Sequence, residues 1–260
     1  MNWIEAIILG IVQGLTEFLP VSSSGHLEIG KALLGTSPDM SLTFTVVVHG
    51  ATVLSTIVVF RNDLYRLIAD FFRFEWNEST RYISKLVLSM IPVVILGLLF
   101  EDEIERFFSG DLVLVGSMLL VTALLLIFSY FFRGREKKIS FGRALFIGVA
   151  QALAVLPGIS RSGATISTGL MLGGQREAVT RFSFLMVLLP ILGANVKDLM
   201  DHSASSSASL EVLPLVAGFI AAFVSGLFAC RWMIRIVNQG RLVYFAFYCI
   251  LLGLAAILLG

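Results

Sequence analysis

Four stretches of this chain, 41–60, 112–132, 213–230 and 242–259, each run for 18 to 21 residues without a single Asp, Glu, Lys or Arg. A helix needs about 20 consecutive apolar residues to cross the hydrocarbon of a bilayer. A soluble domain has no use for so many, because it must cover its surface with charge. Hydrophobic residues make up 57% of the 260 before the 23 Gly are counted, and charged residues 14%, where about 25% is usual. The chain is therefore expected to be an all-α integral membrane protein forming one membrane domain, 1–260, with no room for a soluble one. A net charge of +1 gives no reason to expect nucleic acid. Cys230 and Cys249 lie in or beside apolar runs and read as buried thiols, not a disulfide. The N-terminus lacks the basic region and cleavage site of a signal peptide, so the first apolar segment is expected to stay in the mature protein.

Ten apolar segments can be marked: 2–18, 26–34, 41–60, 82–100, 112–132, 142–156, 160–174, 182–195, 213–230 and 242–259. Sliding the chain on itself by 138 residues places Ala6, Gly10, Gln13, Leu15, Ser22, Ser24 and Gly25 on Ala144, Gly148, Gln151, Leu153, Ser160, Ser162 and Gly163. Seven identities in twenty gapless positions, 6–25, mark an internal repeat. Repeat one covers about 1–132, a basic connector about 133–141, and repeat two about 142–260. Each repeat opens with two short segments joined by polar, turn-rich residues. Irregular backbone at membrane depth survives only against protein or a water-filled cavity. Each pair is thus expected to be a re-entrant helix-loop-helix, followed by three transmembrane helices. Three crossings is an odd number, so the second repeat must be inverted relative to the first.

The positive-inside rule then assigns the sides. One face receives fifteen basic residues, among them Arg61, Arg66, Arg73, Lys137, Lys138 and Arg235, and the other only Lys31, Arg106 and Lys197. The basic loops are expected in the cytoplasm. Both termini and the acidic stretches 101–105 and 198–211 are expected outside. Ten full crossings would give each half five, also odd, so charge alone does not exclude them; segment length and the polar tips favour the hairpins.

One of the 19 basic residues remains, Arg161, at the tip of the second hairpin. An Arg near the bilayer centre costs about 2.5–3.5 kcal/mol on insertion scales and calls for an anion. Glu17, in the first hairpin, offers a purely structural ion pair. The surroundings point further. Ser22, Ser23 and Ser24 begin one half-helix, and Ser160 and Ser162 begin the other. Each serine alone is an ordinary N-cap; together they aim backbone N–H groups and helix dipoles at one place, an anion pocket suited to phosphate.

The run Gln13-Gly14-Leu15-Thr16-Glu17-Phe18-Leu19-Pro20-Val21-Ser22-Ser23-Ser24-Gly25-His26 resembles the first signature of the bacterial undecaprenyl-diphosphate phosphatases, the bacitracin-resistance family. Pro157-Gly158-Ile159-Ser160-Arg161-Ser162-Gly163-Ala164-Thr165 is similar to its second, and the resemblance runs through essentially the whole chain. The family pattern often has Glu where this chain has Gln13, which leaves Glu17 as the essential acid and the candidate metal ligand. The resemblance implies hydrolysis of undecaprenyl diphosphate to undecaprenyl phosphate and inorganic phosphate, a divalent cofactor, Mg²⁺ or Ca²⁺, and a place in the bacterial inner membrane. It favours a pocket open outward, where the headgroup is released.

In the scheme these residues suggest, Ser23 attacks the terminal phosphorus, and Glu17 or His26 takes its proton while the other binds the metal or protonates the leaving oxygen. Arg161 grips the diphosphate, with Ser160, Ser162, Gly163 and Thr165 around the phosphate oxygens. Direct attack by water, activated by Glu17, is the rival. Plainer roles stand beside these: His26 as a bridge within the hairpin, Gln13 and Gln151 satisfying hairpin backbone, and His49 as a core or supporting histidine. His202 reads as solvated. The competing function is a transporter or flippase of a phosphate-bearing lipid or anion, since inverted repeats with discontinuous helices also serve transport. It would need the Arg and the dipoles, but has less use for Ser23, Glu17 and His26 together. Membrane lipid is the expected surrounding, and a homo-oligomer stays open.

Overall fold

The computed structural model describes residues 1–34, 38–107, 111–132, 137–203 and 212–260; the side chains of 31–42, 101, 102, 105 and 197–203 also fall outside the described set. Residues 133–136 of the basic connector, residues 204–211 of the acidic stretch and the side chains of Lys31, Lys197 and His202 thus lie outside the described residues. Thirteen helices are described: α1 (Trp3–Thr16), α2 (Ser23–Leu34), α3 (Pro38–Val59), α4 (Arg61–Phe71), α5 (Glu78–Leu99), α6 (Glu101–Phe107), α7 (Leu112–Phe131), α8 (Phe141–Leu153), α9 (Arg161–Met171), α10 (Arg176–Met186), α11 (Leu188–Ser203), α12 (Val212–Asn238) and α13 (Val243–Leu259). Among the described residues the sole β pairing is an isolated bridge between Lys137 and Gly174. The described residues fold as an all-helical protein, as expected.

The helices begin where polar side chains can take up the N–H groups that a helix leaves unpaired. Asn2 and Glu5 form a capping box on α1, and Asn77, Asp111, Ser140 and Ser160 cap α5, α7, α8 and α9. Four helical stretches are long and apolar enough to cross a membrane: Glu78–Leu99, Leu112–Phe131, Arg176–Val196 and Val212–Asn238. A fifth is the pair Thr43–Val59 and Arg61–Phe71, bent by 76° at Phe60. The chain is a multi-pass membrane protein by this measure. The sixth expected crossing, α13, is an apolar helix of 17 residues.

The third segment ends at Phe60 as expected, but the helix that follows it and a division of the eighth segment were not foreseen. Beyond Phe60 the chain turns sharply into α4, which is tied down by Arg181 of α10, 3.0 Å from Asp63, and by Ser79, whose hydroxyl donates to Asp70 at 2.6 Å. The eighth segment divides at Val187 into α10 and α11. Pro190 lacks the N–H that would reach the carbonyl of Met186, and this accounts for the break.

Close helix pairs rest on small residues. α1 packs on α12 and α8 packs on α5. A methyl group at Gly10 would run into the Gly218 carbonyl, and one at Gly148 into that of Ser89. α7 and α13 meet across Gly116 and Gly253, each of which faces the other's carbonyl oxygen. The main core, with Leu119, Leu126, Ile147, Phe182, Met186 and Met233, fills the space among α7, α8, α10 and α12. It reaches the first hairpin tip, 17–22, through Phe18 and Val21, while the second, 154–160, packs through Ala154 and Ile159 in a smaller cluster against Met118, Val121 and Leu125.

Candidate active site

The tips meet. Ser162 donates to the Leu19 carbonyl at 3.1 Å, and a Cβ on Gly163 would lie 3.3 Å from Pro20. Thr122 of α7 secures the second tip: its hydroxyl accepts from the Ser160 N–H at 2.9 Å and lies 3.1 Å from the Gly158 carbonyl as a donor. Gly158 sits at φ 98°, beneath the Val115 carbonyl, where a side chain would be both strained and obstructed.

Glu17 stands at the centre. Its side chain is 8% exposed, and each carboxylate oxygen is engaged. Oε1 accepts from Arg161 Nη2 at 2.9 Å. Oε2 accepts from Ser23 Oγ at 2.7 Å and from Gln13 Nε2 at 2.9 Å. His49 brings Nε2 to 3.7 Å from Oε2, too far for a hydrogen bond. Its Nδ1 lies 2.8 Å from the Thr45 carbonyl, which can only accept, so that nitrogen carries a proton. Five residues singled out in the sequence, Gln13, Glu17, Ser23, His49 and Arg161, thus come together from α1, α2, α3 and α9. A small cleft opens beside Glu17, lined mainly by apolar side chains including Phe18, Val53, Phe184 and Leu188, with Thr52 and Thr56.

Other residues lie around this cluster. Ser22 caps the first half-helix, its Oγ accepting from the Gly25 N–H at 3.3 Å, and Ser160 does the same for Gly163 at 3.1 Å. Their hydroxyls also contact Ser24 and Ser162 at 3.3 and 3.2 Å. Ser23, Ser24 and Arg161 are partly accessible, whereas Ser160 and Ser162 are buried. Thr165 is buried on α9, donating to the Arg161 carbonyl at 2.8 Å and sharing a hydrogen bond with Ser183. Gln151, the counterpart of Gln13, is buried with neither side-chain polar atom partnered, and it has no acid to hold, because Val155 stands where Glu17 does in the first repeat.

His26 is engaged on both ring nitrogens. Nδ1 lies 2.7 Å from the Ser22 carbonyl and Nε2 lies 2.7 Å from the Tyr248 hydroxyl of α13. Tyr248 was not singled out in the sequence: it lies in an apolar run, 222 residues from its partner, and only its hydroxyl hinted at a polar contact. Thr122 and Ser183 were missed for the same reason.

The family model described as bacitracin resistance protein BacA matches residues 6–255. The chain belongs to that family. A protein from Christiangramia forsetii is 54% identical over 260 residues, covering 99% of this chain and 98% of its own. One from Bacteroides thetaiotaomicron is 51% identical over 261 residues, covering 99% of each. One from Halothermothrix orenii is 40% identical over 263 residues, covering all of this chain and 98% of its own. Each of the three bears the name undecaprenyl-diphosphatase.

Proposed function

We propose that this BacA-family chain hydrolyses undecaprenyl diphosphate to undecaprenyl phosphate and inorganic phosphate at the Glu17–Ser23–Arg161 cluster. The observation that carries the reading is one carboxylate holding both a serine hydroxyl, at 2.7 Å, and a guanidinium, at 2.9 Å, where two helix N-termini meet. A nucleophile, a base and a phosphate grip are thus adjacent.

Ser23 Oγ attacks the terminal phosphorus and its proton passes to Glu17 Oε2. The anhydride P–O bond breaks, and undecaprenyl phosphate leaves with the electron pair. Arg161 holds the diphosphate as charge builds on its oxygens, aided by the first N–H groups of α2 and α9. Glu17, having released that proton to the leaving phosphate, takes one from water as the water attacks phosphoserine. The P–Oγ bond then breaks, the proton returns to Ser23, and phosphate departs. Glu17 suits the base role better than His26, whose two nitrogens are engaged by Ser22 and Tyr248. The apolar lining beside Glu17 suits the first prenyl units of the lipid.

Among the described residues no group of three or more His, Cys, Asp or Glu gathers as a metal site. Gln13 nevertheless offers a fit. Its Nε2 faces the carboxylate, which only accepts, so Oε1 is the atom left buried without a partner. Magnesium and calcium take oxygen donors, and Mg²⁺ is commonly held by one or two carboxylates plus substrate phosphates. Glu17 and Gln13 Oε1 would hold such an ion, and it would offset the charge of the diphosphate.

The two-repeat architecture supports a single shared site. An offset of 138 carries the cap Asn2 onto Ser140 and the cap Ser22 onto Ser160. Exchanging the repeats turns the α1–α12 contact into α8–α5 and leaves α7–α13 unchanged. We read these as inverted repeats with re-entrant α1–α2 and α8–α9 hairpins, basic loops in the cytoplasm and both termini outside. Phosphate release from a polyprenyl diphosphate by the purified chain, with Mg²⁺ or Ca²⁺ supplied, tests the function. Glu17→Gln and Ser23→Ala should abolish it; no release by the unaltered chain, with uptake of the intact lipid by vesicles, would establish a transporter instead.

A further inference from the structure

Ser22 has φ 68°, a left-handed conformation that a serine does not adopt without cost. It immediately precedes Ser23, so whatever fixes this turn fixes the direction of the Ser23 hydroxyl. The His26 N–H donates to the Ser22 carbonyl at 3.2 Å, as the first bond of α2. The His26 ring grips the same oxygen through Nδ1 at 2.7 Å. Because a carbonyl only accepts, Nδ1 carries a proton, and Nε2 is the nitrogen free to accept in the neutral ring. The Tyr248 hydroxyl lies 2.7 Å from Nε2, with the two ring planes nearly parallel, 7° apart. The next residue, Cys249, directs its thiol to the Pro20 carbonyl at 3.6 Å. Adjacent residues of α13 therefore hold the first tip on both sides of Ser22.

We propose that Tyr248 is a positioning residue of the site: it braces His26, which clamps the Ser22 carbonyl and so keeps the left-handed turn that presents Ser23 to Glu17. The brace reaches the reacting serine through backbone and touches no reacting atom itself. It comes from the last helix of the second repeat, so one hairpin's nucleophile is aimed by the other half of the chain. The offset of 138 places Gly110 opposite Tyr248, so the first repeat has no tyrosine at the matching position; its last helix, α7, holds the second tip through Thr122 instead. This inference rests on the hydrolase reading above.

The test uses the full chain and a polyprenyl diphosphate. Tyr248→Phe keeps the ring and removes the hydroxyl. Its kcat should fall about 10- to 100-fold, the usual effect of losing an outer hydrogen-bonding support, with KM within about threefold. In a Ser22→Gly background, where the turn is free of strain, the same change should cost less than about threefold in kcat, the signature of two residues acting through one element. Nitrogen-15 spectra of the histidines should show the His26 Nε2 resonance move in Tyr248→Phe while that of His49 stays. A kcat within threefold of the unaltered chain, an equal loss in both backgrounds, or an unmoved Nε2 resonance overturns the proposal. Full activity in Glu17→Gln and Ser23→Ala would instead overturn the assignment of the reaction to the Glu17–Ser23–Arg161 cluster, no phosphate release by the unaltered chain would overturn the hydrolase reading, and in either case the histidine spectrum would still decide whether the brace exists.

Discussion

Removing Arg161 should destabilise the protein more than neutralising Glu17, although the two share one ion pair. The pair is asymmetric: the Glu17 side chain is 8% exposed and that of Arg161 is 27% exposed. Breaking a buried pair by deleting one partner costs about 3–5 kcal/mol when the remaining charge is uncompensated. In Arg161→Ala the remaining charge is the more buried one, but Glu17 keeps the Ser23 and Gln13 donors. The loss should therefore be smaller, about 2–3 kcal/mol, in the range of a charged hydrogen bond. In Glu17→Gln the side chain keeps its shape, and the Arg161 head can turn toward water. About 1 kcal/mol is expected there. Unfolding in mixed micelles by titrated denaturing detergent measures both, and the double variant closes a cycle whose coupling should be about 1–2 kcal/mol. Activity follows a different order, because loss of a preorganised charge on the transferring group costs about 10²–10³-fold and loss of the base should cost at least as much. Greater destabilisation by Glu17→Gln than by Arg161→Ala, or strict additivity, would refute the claim that burial of Glu17 sets the asymmetry.

Further predictions concern the cation and the tips. Gln13→Glu places a second carboxylate where Nε2 now donates to Glu17 at 2.9 Å; the half-saturating Mg²⁺ or Ca²⁺ concentration for phosphate release should fall about tenfold, and an unchanged titration curve counts against a cation at this pair. Gly158→Ala forces a side chain into φ 98° and against the Val115 carbonyl, so it should cost about 2–4 kcal/mol in the same unfolding assay. Gly142→Ala, where an added methyl meets nothing within 4 Å, should be near neutral; equal losses would show that packing at the tip is not the cause.

Much of this arrangement was legible because it is written locally or by count. The offset of 138 aligns residues whose caps the structure shows to be equivalent, Ser22 with Ser160 and Asn2 with Ser140. Arg161 stood out because sorting the charges by side left it over, and its partner is Glu17, as the shortage of acids in the hairpins suggested. What escaped was set by contacts between distant helices. Tyr248 looks like any aromatic residue of an apolar helix until His26 is found beside it. Thr122 looks like a small residue suited to helix packing, yet it holds the Ser160 N–H. The end of the third segment at Phe60 was legible, but the helix α4 beyond the 76° bend was not, since it is held there by an ion pair from α10 and a hydrogen bond from α5.

The account turns on Ser23 attacking phosphorus while Glu17 takes its proton. Rapid acid quenching of the purified chain with a polyprenyl diphosphate labelled on the terminal phosphorus tests this directly, with mass analysis of the labelled peptide. The expected result is label on Ser23 that forms and decays within one turnover, and no label in Ser23→Ala or Glu17→Gln. Phosphate release without protein-bound label, together with retained activity in Ser23→Ala, would contradict it.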